Sequence, residues 1–323
     1  MEEVKKVSVV MCTYNGEKYI REQLDSILAQ TYPIYELIIQ DDGSTDNTVA
    51  ILREYEALNS NIVVSQNQVN VGFNENFKLA IAKAKGDYIA ISDQDDIWYP
   101  QKIEKQIKAI KDYSICCSAF HRDKFYSEEN TQIIIPKYNL EEFLFVNPVP
   151  GHTMLIRSDF AKQFKDWNVH FYYDWWFAVY AYFDHGIIRV DEPLNWHRPH
   201  SGSAIARIHE KHKGNVVDKP TYHPYIYGYK WYRKLQKKTA WNIFYAEVAR
   251  LAEGKYPLTH KLACLLRKKD IFSFFYLCVL CMINKNLIYP SNKDLPIKNT
   301  FRSYMRAFCY PLIFSYGNTN YEL

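Results

Sequence analysis

Asp93, Asp95 and Asp96 follow directly on the apolar run YIAIS, and three carboxylates so close together repel one another unless a cation or buried donors compensate. A hard divalent ion, Mg²⁺ or Mn²⁺, fits that need. Such ions prefer oxygen ligands and join one or two carboxylates to substrate phosphates. An Asp near the first turn of a helix is favourable on its own, but capping needs one such residue and not three. A second acidic pair, Asp41 and Asp42 in QDDGSTD, also ends an apolar run. One of the two can make the turn with Gly43, which leaves the other to accept hydrogen bonds from a pyrimidine N–H or from ribose hydroxyls.

These residues need a frame that brings the ends of several strands together. Over the first 120 residues, short apolar runs alternate with helical patterns, the signature of an α/β fold with a mostly parallel sheet flanked by helices. Strands are expected at 7–13, 36–40, 62–65, 87–92 and 114–120. Ile20, Leu24, Ile27 and Leu28 form one apolar stripe at helical spacing. Asp46 is placed to cap the next helix, and Pro100 suits the first turn of a helix through about Asp112. Ligands in such folds sit where strands end and helices begin. The residues there are polar: Thr13, Tyr14, Asn15 and Gly16 after the first strand, then the two acidic groups. After residue 120 the alternation weakens. A strand at 153–156 and a helix at 174–183 are expected, and the polar stretch 202–219 reads as a boundary.

Charge divides the chain in two. Residues 1–210 carry 21 basic and 30 acidic side chains, whereas residues 211–323 carry 19 and 6. The acidic part attracts no polyanion by charge alone, so a phosphorylated ligand there needs a metal or local donors. The basic part suits an anionic surface. No GxxxxGK loop and no GxGxxG fingerprint occurs, which argues against ATP hydrolysis and against a nicotinamide dehydrogenase. The start, MEEVKK, is mixed in charge, and the apolar run after it is short, so the expectation is a chain without a secretory signal whose seven cysteines are reduced. Cys278 and Cys281 lie in an apolar run with no second pair at metal spacing, and packing explains them.

Five segments in order, VSVVMCTYNGEKYIREQLDSILAQTY, ELIIQDDGSTDNT, NVGFNENF, GDYIAISDQDDIWYP and YYDWW, resemble the family 2 inverting glycosyltransferases of the GT-A superfamily over residues 5–205. The first and fourth look closest to bacterial rhamnosyltransferases and polysaccharide-assembly transferases. The resemblance implies a Rossmann-like GT-A domain over 1–210, with a nucleotide-sugar half to about 120 and an acceptor half beyond it. It puts Thr13, Tyr14 and Asn15 beside the nucleotide, Asp41 on the base, Asp93 at the ribose and Asp95 on the metal, with Asp96 either helping Asp95 or holding the following turn. It makes Asp174 the catalytic base. The segment LNWHRPHSGS is similar to a later family motif, which makes Arg198 a phosphate donor and His200 a further metal ligand. His152, Trp175 and Trp176 are candidate acceptor-site residues, the two indoles with ordinary core packing as the alternative.

Residues 211–323 read as a basic, aromatic-rich helical region. The run IFSFFYLCVLCMI, residues 271–283, is too short to span a bilayer but can lie on one, with Arg267, Lys268 and Lys269 drawn to anionic headgroups. Packing against the catalytic domain is the alternative. Tyr222 to Trp241, rich in tyrosine and tryptophan, suits an interfacial helix face. The whole reads as a metal-dependent transferase moving one sugar, rhamnose from dTDP or a UDP-linked hexose, to a glycan or lipid-linked acceptor with inversion. Its expected place is the cytoplasmic face of a bacterial membrane, with no nucleic-acid partner. A nucleotidyltransferase of related fold would need the same metal, although a Gly-rich basic loop is missing from the first strand end. An inactive carbohydrate-binding protein would have no use for all of these carboxylates.

Overall fold

The computed structural model describes residues 4–124, 132–164, 171–200, 203, 223–288 and 300–318. They form two compact units, one of residues 1–137 with 149–200, the other of 138–148 with 201–323. The segment 138–148 therefore belongs with the C-terminal region, a division that charge did not reveal. The expected boundary at 202–219 falls almost wholly outside the described residues.

The first unit is a nine-stranded mixed sheet. Its elements run β1 (Val7–Thr13), α1 (Ile20–Leu28), β2 (Glu36–Asp41), α2 (Thr48–Leu58), β3 (Ile62–Gln66), α3 (Phe73–Lys83), β4 (Tyr88–Ser92), β5 (Ile97–Trp98), α4 (Lys102–Ile110), β6 (Ile115–Arg122), β7 (Gln132–Ile134), β8 (Leu155–Arg157), α5 (Ser158–Ala161), α6 (Tyr173–Phe183) and β9 (Ile187–His197). The strand order is β3-β2-β1-β4-β8-β6-β9-β5, with β7 on β6. Strands β1 to β4 are parallel, and β8 turns antiparallel against β4. Because β1 has β2 on one side and β4 on the other, the strand order reverses there, which opens a crevice at the strands' C-terminal ends. Val7, Val9, Val10 and Met11 of β1 are fully buried, as a strand covered on both faces requires. Ile20, Leu24 and Ile27 put the stripe of α1 into the same core.

The strand expected at 153–156 is displaced. Residues Gly151–Thr153 form a 3₁₀ turn and the strand starts at Leu155. Strands β5, β7 and β9 were not anticipated. Of these β9 matters most, since its parallel pairing with β6 sets Trp196 opposite His121 and His197 opposite Arg122, through register shifts at Ser118–Ala119 and Ala119–His121.

The second unit is helical: α7 (His223–Leu235), α8 (Thr239–Ala252), α9 (Pro257–Leu266), α10 (Ile271–Ile283), α11 (Lys285–Ile288), α12 (Phe301–Phe308) and α13 (Tyr310–Asn318). Its core holds Tyr232, Trp241, Phe244, Leu262, Phe274, Leu277 and Phe314. Segment 138–148 joins it where the Tyr245 hydroxyl donates to the Leu144 carbonyl at 3.2 Å and Phe145 packs edge-on against Phe314. Tyr232 and Trp241 are thus core residues rather than an interfacial belt, although Tyr225, Ile226 and Tyr227 of α7 are exposed. Cys278 and Cys281 are buried, and burial pushes the Cys278 thiol up to about 12, in keeping with a packing role.

Candidate active site

The turn after β1 and the turn after β4 are clamped together by one side chain. Gln94 accepts from the Tyr14 N–H at 2.9 Å and donates to the Tyr14 carbonyl at 3.2 Å. Gly16 makes room for this, because a Cβ there would stand 2.3 Å from Gln94 Oε1. Asn15 adopts a φ of 48°, a left-handed conformation that Asn tolerates better than most residues. Its side chain accepts from the Thr45 N–H at 2.8 Å and so ties the first turn to the one after β2. Thr13, Tyr14 and Asn15 thus line one ordered ridge.

Asp41 and Asp42 depart from expectation. Asp41 is fully buried and its carboxylate accepts four hydrogen bonds, from the Gly43 and Ser44 amides and from the hydroxyls of Ser44 and Thr13. Those donors fill its lone-pair directions, so it shapes the turn and is not free to read a base in this conformation. Asp42 is equally engaged, accepting from the amides of Val71 and Gly72 and from Asn67.

The three carboxylates after β4 divide by environment. Asp95 pairs with His200 at 2.6 Å, so two expected metal ligands from distant parts of the chain do meet. Asp96 turns away from them into the interior. There it bonds His197 Nδ1 at 3.0 Å, lies 3.4 Å from His152 Nδ1, and takes a long contact of 3.4 Å from Asn195. The His152 and His197 rings stack at 4.7 Å and 6°. Beneath them Lys102, with no exposed surface, donates to the His152 carbonyl at 3.1 Å and lies 5.0 Å over the Trp98 ring.

The electrostatics follow from burial. Asp93 is held well above the usual carboxylate range, first by burial and then by the charges of Asp96, Asp95 and, more weakly, Asp174. Burial brings Lys102 down to about 8. His152 is pushed well below its ordinary value by burial and by the neighbouring His197 and Lys102, so it is neutral and can accept from Asn195 at 2.9 Å. Burial works against the charged form of His197 too, but the charge and hydrogen bond of Asp96 outweigh it and raise it to about 8.

Asp174 opens α6. Its carboxylate accepts from the Gly151 amide at 3.1 Å and from the Trp175 amide at 2.8 Å. Gly151 is again a close approach, since a Cβ would stand 2.2 Å from the Tyr173 hydroxyl. The Tyr173 amide donates to Asn74 at 3.0 Å, which fixes the start of α6 to the NVGFNENF segment. Arg198 lies between the rings of Tyr19, at 4.4 Å, and Trp196, at 4.7 Å, and pairs with Glu22. Its Nε is buried without a hydrogen-bond partner among the described residues, so a donor is left to spend on a ligand.

Three acceptor expectations need correction. His152 is 5% exposed and committed to the Asp96 cluster. Trp175 and Trp176, at 4% and 7%, are core side chains packed on Phe171 and Tyr180, not an accessible sugar platform. Sequence reasoning missed Gln94, Lys102, Asn195 and His197. Only Gln94 carried a signal, as the intervening residue of DQD.

The donor set suits a divalent cation in two ways. Asp95 with His200 offers one hard oxygen and one imidazole beside Asp93. Asp96, His152 and His197 place three ligand atoms within 4.8 Å of one another. The second group is richer in nitrogen and almost entirely internal, so a phosphate-bridging ion fits Asp95 and His200 better.

The site thus combines carboxylates at the switch point of an α/β sheet with a further carboxylate, Asp174, held by two backbone amides. The glycosyl transferase family 2 model matches residues 8–183, and the chain belongs to that family. It is similar to an uncharacterised glycosyltransferase of Haemophilus influenzae, 32% identical over 51% of this chain and 55% of that protein. It is also similar to the dTDP-rhamnosyl transferase RfbG of Shigella flexneri, 29% identical over 71% of this chain and 83% of that protein. The chain spans about half or less of the length of the first curated relatives it matches. Among solved structures, S. aureus TarS 1-349 in complex with UDP aligns with a TM-score of 0.55 at 19% identity, over 90% of this chain and 94% of that one. The mannosyltransferase PcManGT of Pyrobaculum calidifontis, in complex with GDP-Man and Mn²⁺, aligns at 0.52 and 15%, over 98% and 88%. These likenesses establish the GT-A fold.

Proposed function

We propose that the chain transfers one sugar from a nucleotide diphosphate sugar to a hydroxyl of a glycan or lipid-linked acceptor, with inversion, in bacterial surface-polysaccharide synthesis at the cytoplasmic face of the membrane. The observation that carries this is Asp174, a carboxylate fixed by two backbone amides and near enough to Asp93 for its charge to be felt there. A single displacement needs a base on the acceptor side and charge stabilisation on the leaving-group side.

The amides of Gly151 and Trp175 hold the Asp174 carboxylate oriented, so it can take the acceptor's proton as that oxygen attacks the anomeric carbon. Thr13, Tyr14 and Asn15 form the ridge on which the nucleoside lies, and Asp93 faces the ribose. Arg198, kept in place by two rings and Glu22, donates to the diphosphate. Asp95 and His200 would hold Mg²⁺ or Mn²⁺, which when bound offsets charge developing on the diphosphate. A dTDP-linked rhamnose is the donor favoured by similarity to RfbG, with a UDP-linked hexose second.

Replacing Asp174 by Asn removes the base and keeps one of the two amide contacts, since the Gly151 and Trp175 N–H groups bond different carboxylate oxygens and the Asn nitrogen cannot accept. The expected result is a loss of turnover of about 10²–10⁴-fold with donor binding unchanged and a loss of stability of no more than about 1–3 kcal/mol, so that the protein stays folded in the assay. Turnover at the parent rate would show that the base lies elsewhere.

A further inference from the structure

Helix α10 is apolar on every side, which a helix of an ordinary two-layer unit is not. Phe274, Leu277, Cys278 and Cys281 face the core, while Phe272 (83% exposed), Phe275 (59%), Tyr276 and Ile283 share the opposite face. Helix α12 repeats this arrangement. Phe301 (82% exposed), Tyr304 and Met305 lie outward on one face, and only Ala307 of that helix is buried. Phe275 meets Phe308 at 5.7 Å, so the two outward faces adjoin within one unit. No described helix is long and apolar enough to cross a bilayer, so this surface can lie against a membrane but not span it.

Its rim is basic. Arg302 and Arg306 are exposed on α12, and Lys261, Lys268 and Lys269 are exposed at the other end. There a hollow of about 410 Å³ is lined by Lys261, Lys268, Phe272, Ser273 and Tyr276, with the Lys261 ammonium 4.7 Å from the centre of the Tyr276 ring. Cations set beside exposed aromatic rings are the combination that an anionic headgroup layer accommodates, the rings entering the acyl boundary and the ammonium groups meeting phosphates.

We infer that the joined outward faces of α10 and α12 form the membrane-docking surface, inserted through Phe272, Phe275 and Phe301, with Lys261 and Lys268 gripping the phosphate of an anionic phospholipid. This rests on the membrane location proposed above and names the part of the chain responsible. A second copy of the chain is the competing occupant, but a basic rim repels its own image.

The test is co-sedimentation of the full chain with vesicles of phosphatidylglycerol and phosphatidylcholine, or of phosphatidylcholine alone, with no sugar donor present. The parent protein is expected on the anionic vesicles. Lys261→Gln with Lys268→Gln should weaken that binding about thirtyfold, from about 1 kcal/mol per basic side chain near such a surface. Phe272→Ser with Phe275→Ser should weaken it at least about tenfold. Both pairs are surface changes, and circular dichroism melting verifies the fold. If the parent binds and both pairs bind equally well, the assigned surface is wrong while the membrane location survives. If the parent binds neither vesicle, the location falls as well. A concentration-dependent dimer by light scattering, abolished by Phe272→Ser with Phe275→Ser, would overturn the inference in favour of self-association.

Discussion

Gly16 and Gln94 offer a test of whether the turns after β1 and β4 are held by the clamp described above. In Gly16→Ala the new Cβ meets Gln94 Oε1 at 2.3 Å, far inside contact distance, so the amide must leave and both of its bonds to Tyr14 are lost. At about 0.5–1.5 kcal/mol per bond, the substitution costs about 1–3 kcal/mol. Gln94→Ala deletes the same two bonds and should cost a similar amount. In the double variant the methyl introduced at position 16 occupies space that Gln94 has vacated, so nothing further is lost. The total should match Gln94→Ala alone, which gives a coupling energy of about −1 to −3 kcal/mol. Urea unfolding of the four proteins, followed by tryptophan fluorescence, measures this directly. Strict additivity, with the double variant losing the sum of the two single losses, would refute the clamp, as would a Gly16→Ala protein of parental stability. Nucleotide affinity should follow the same pattern, because the turn that Gln94 secures carries Thr13, Tyr14 and Asn15.

Asp95 and Asp96, adjacent in sequence, should fail in different ways. Asp95→Asn is expected to keep parental stability and lose Mn²⁺-dependent binding of nucleoside diphosphates by at least about tenfold, read by calorimetry. Asp96→Asn strands the buried His197 cation and should destabilise by about 3 kcal/mol or more in urea unfolding. Stability should also fall with rising pH. With His197 raised to about 8 in the folded protein, above an unfolded value of about 6.5, its contribution is complete below about pH 6.5 and is lost as pH rises through 8, up to about 2 kcal/mol. The raised pKa of Asp96 acts in the same direction at lower pH, so the two do not cancel. In His197→Gln the decline between pH 6.5 and 8 should disappear from the urea midpoints.

The frame of the first unit was legible because its strands announce themselves. Val7–Thr13 was placed to the residue, and Glu36–Asp41 to within one, since parallel strands buried on both faces leave continuous apolar runs bounded by polar turns. Strand β9 gave no such signal. Its IIRVDEPLNWH carries charge and a proline, and it is buried mainly at Leu194, Asn195 and Trp196, where it passes beside β6. Local pattern cannot show a strand whose polar end is buried only because a bulged neighbour brings it inward. For the same reason His152 was misread and His197 was missed. His197 and His152 are 45 positions apart in sequence, and nothing local indicates that they stack over one carboxylate.

That stacking changes how DQDD should be understood. Three like charges at one strand end suggest a single cation, yet the structure treats the three in separate ways. Asp95 has the imidazole of His200 at the open side, Asp96 has His197 with Lys102 behind it, and Asp93 is left with its proton affinity raised. An ion arriving at Asp95 and His200 therefore meets a site whose inner half is already balanced, and the uncompensated group nearest to it is Asp93. A cation there should lower the proton affinity of Asp93 and favour its ionised form, the better acceptor for ribose hydroxyls, so that metal and nucleotide favour each other's binding. On this argument the buried histidine pair sets which carboxylate remains free to respond, although neither ring faces the donor.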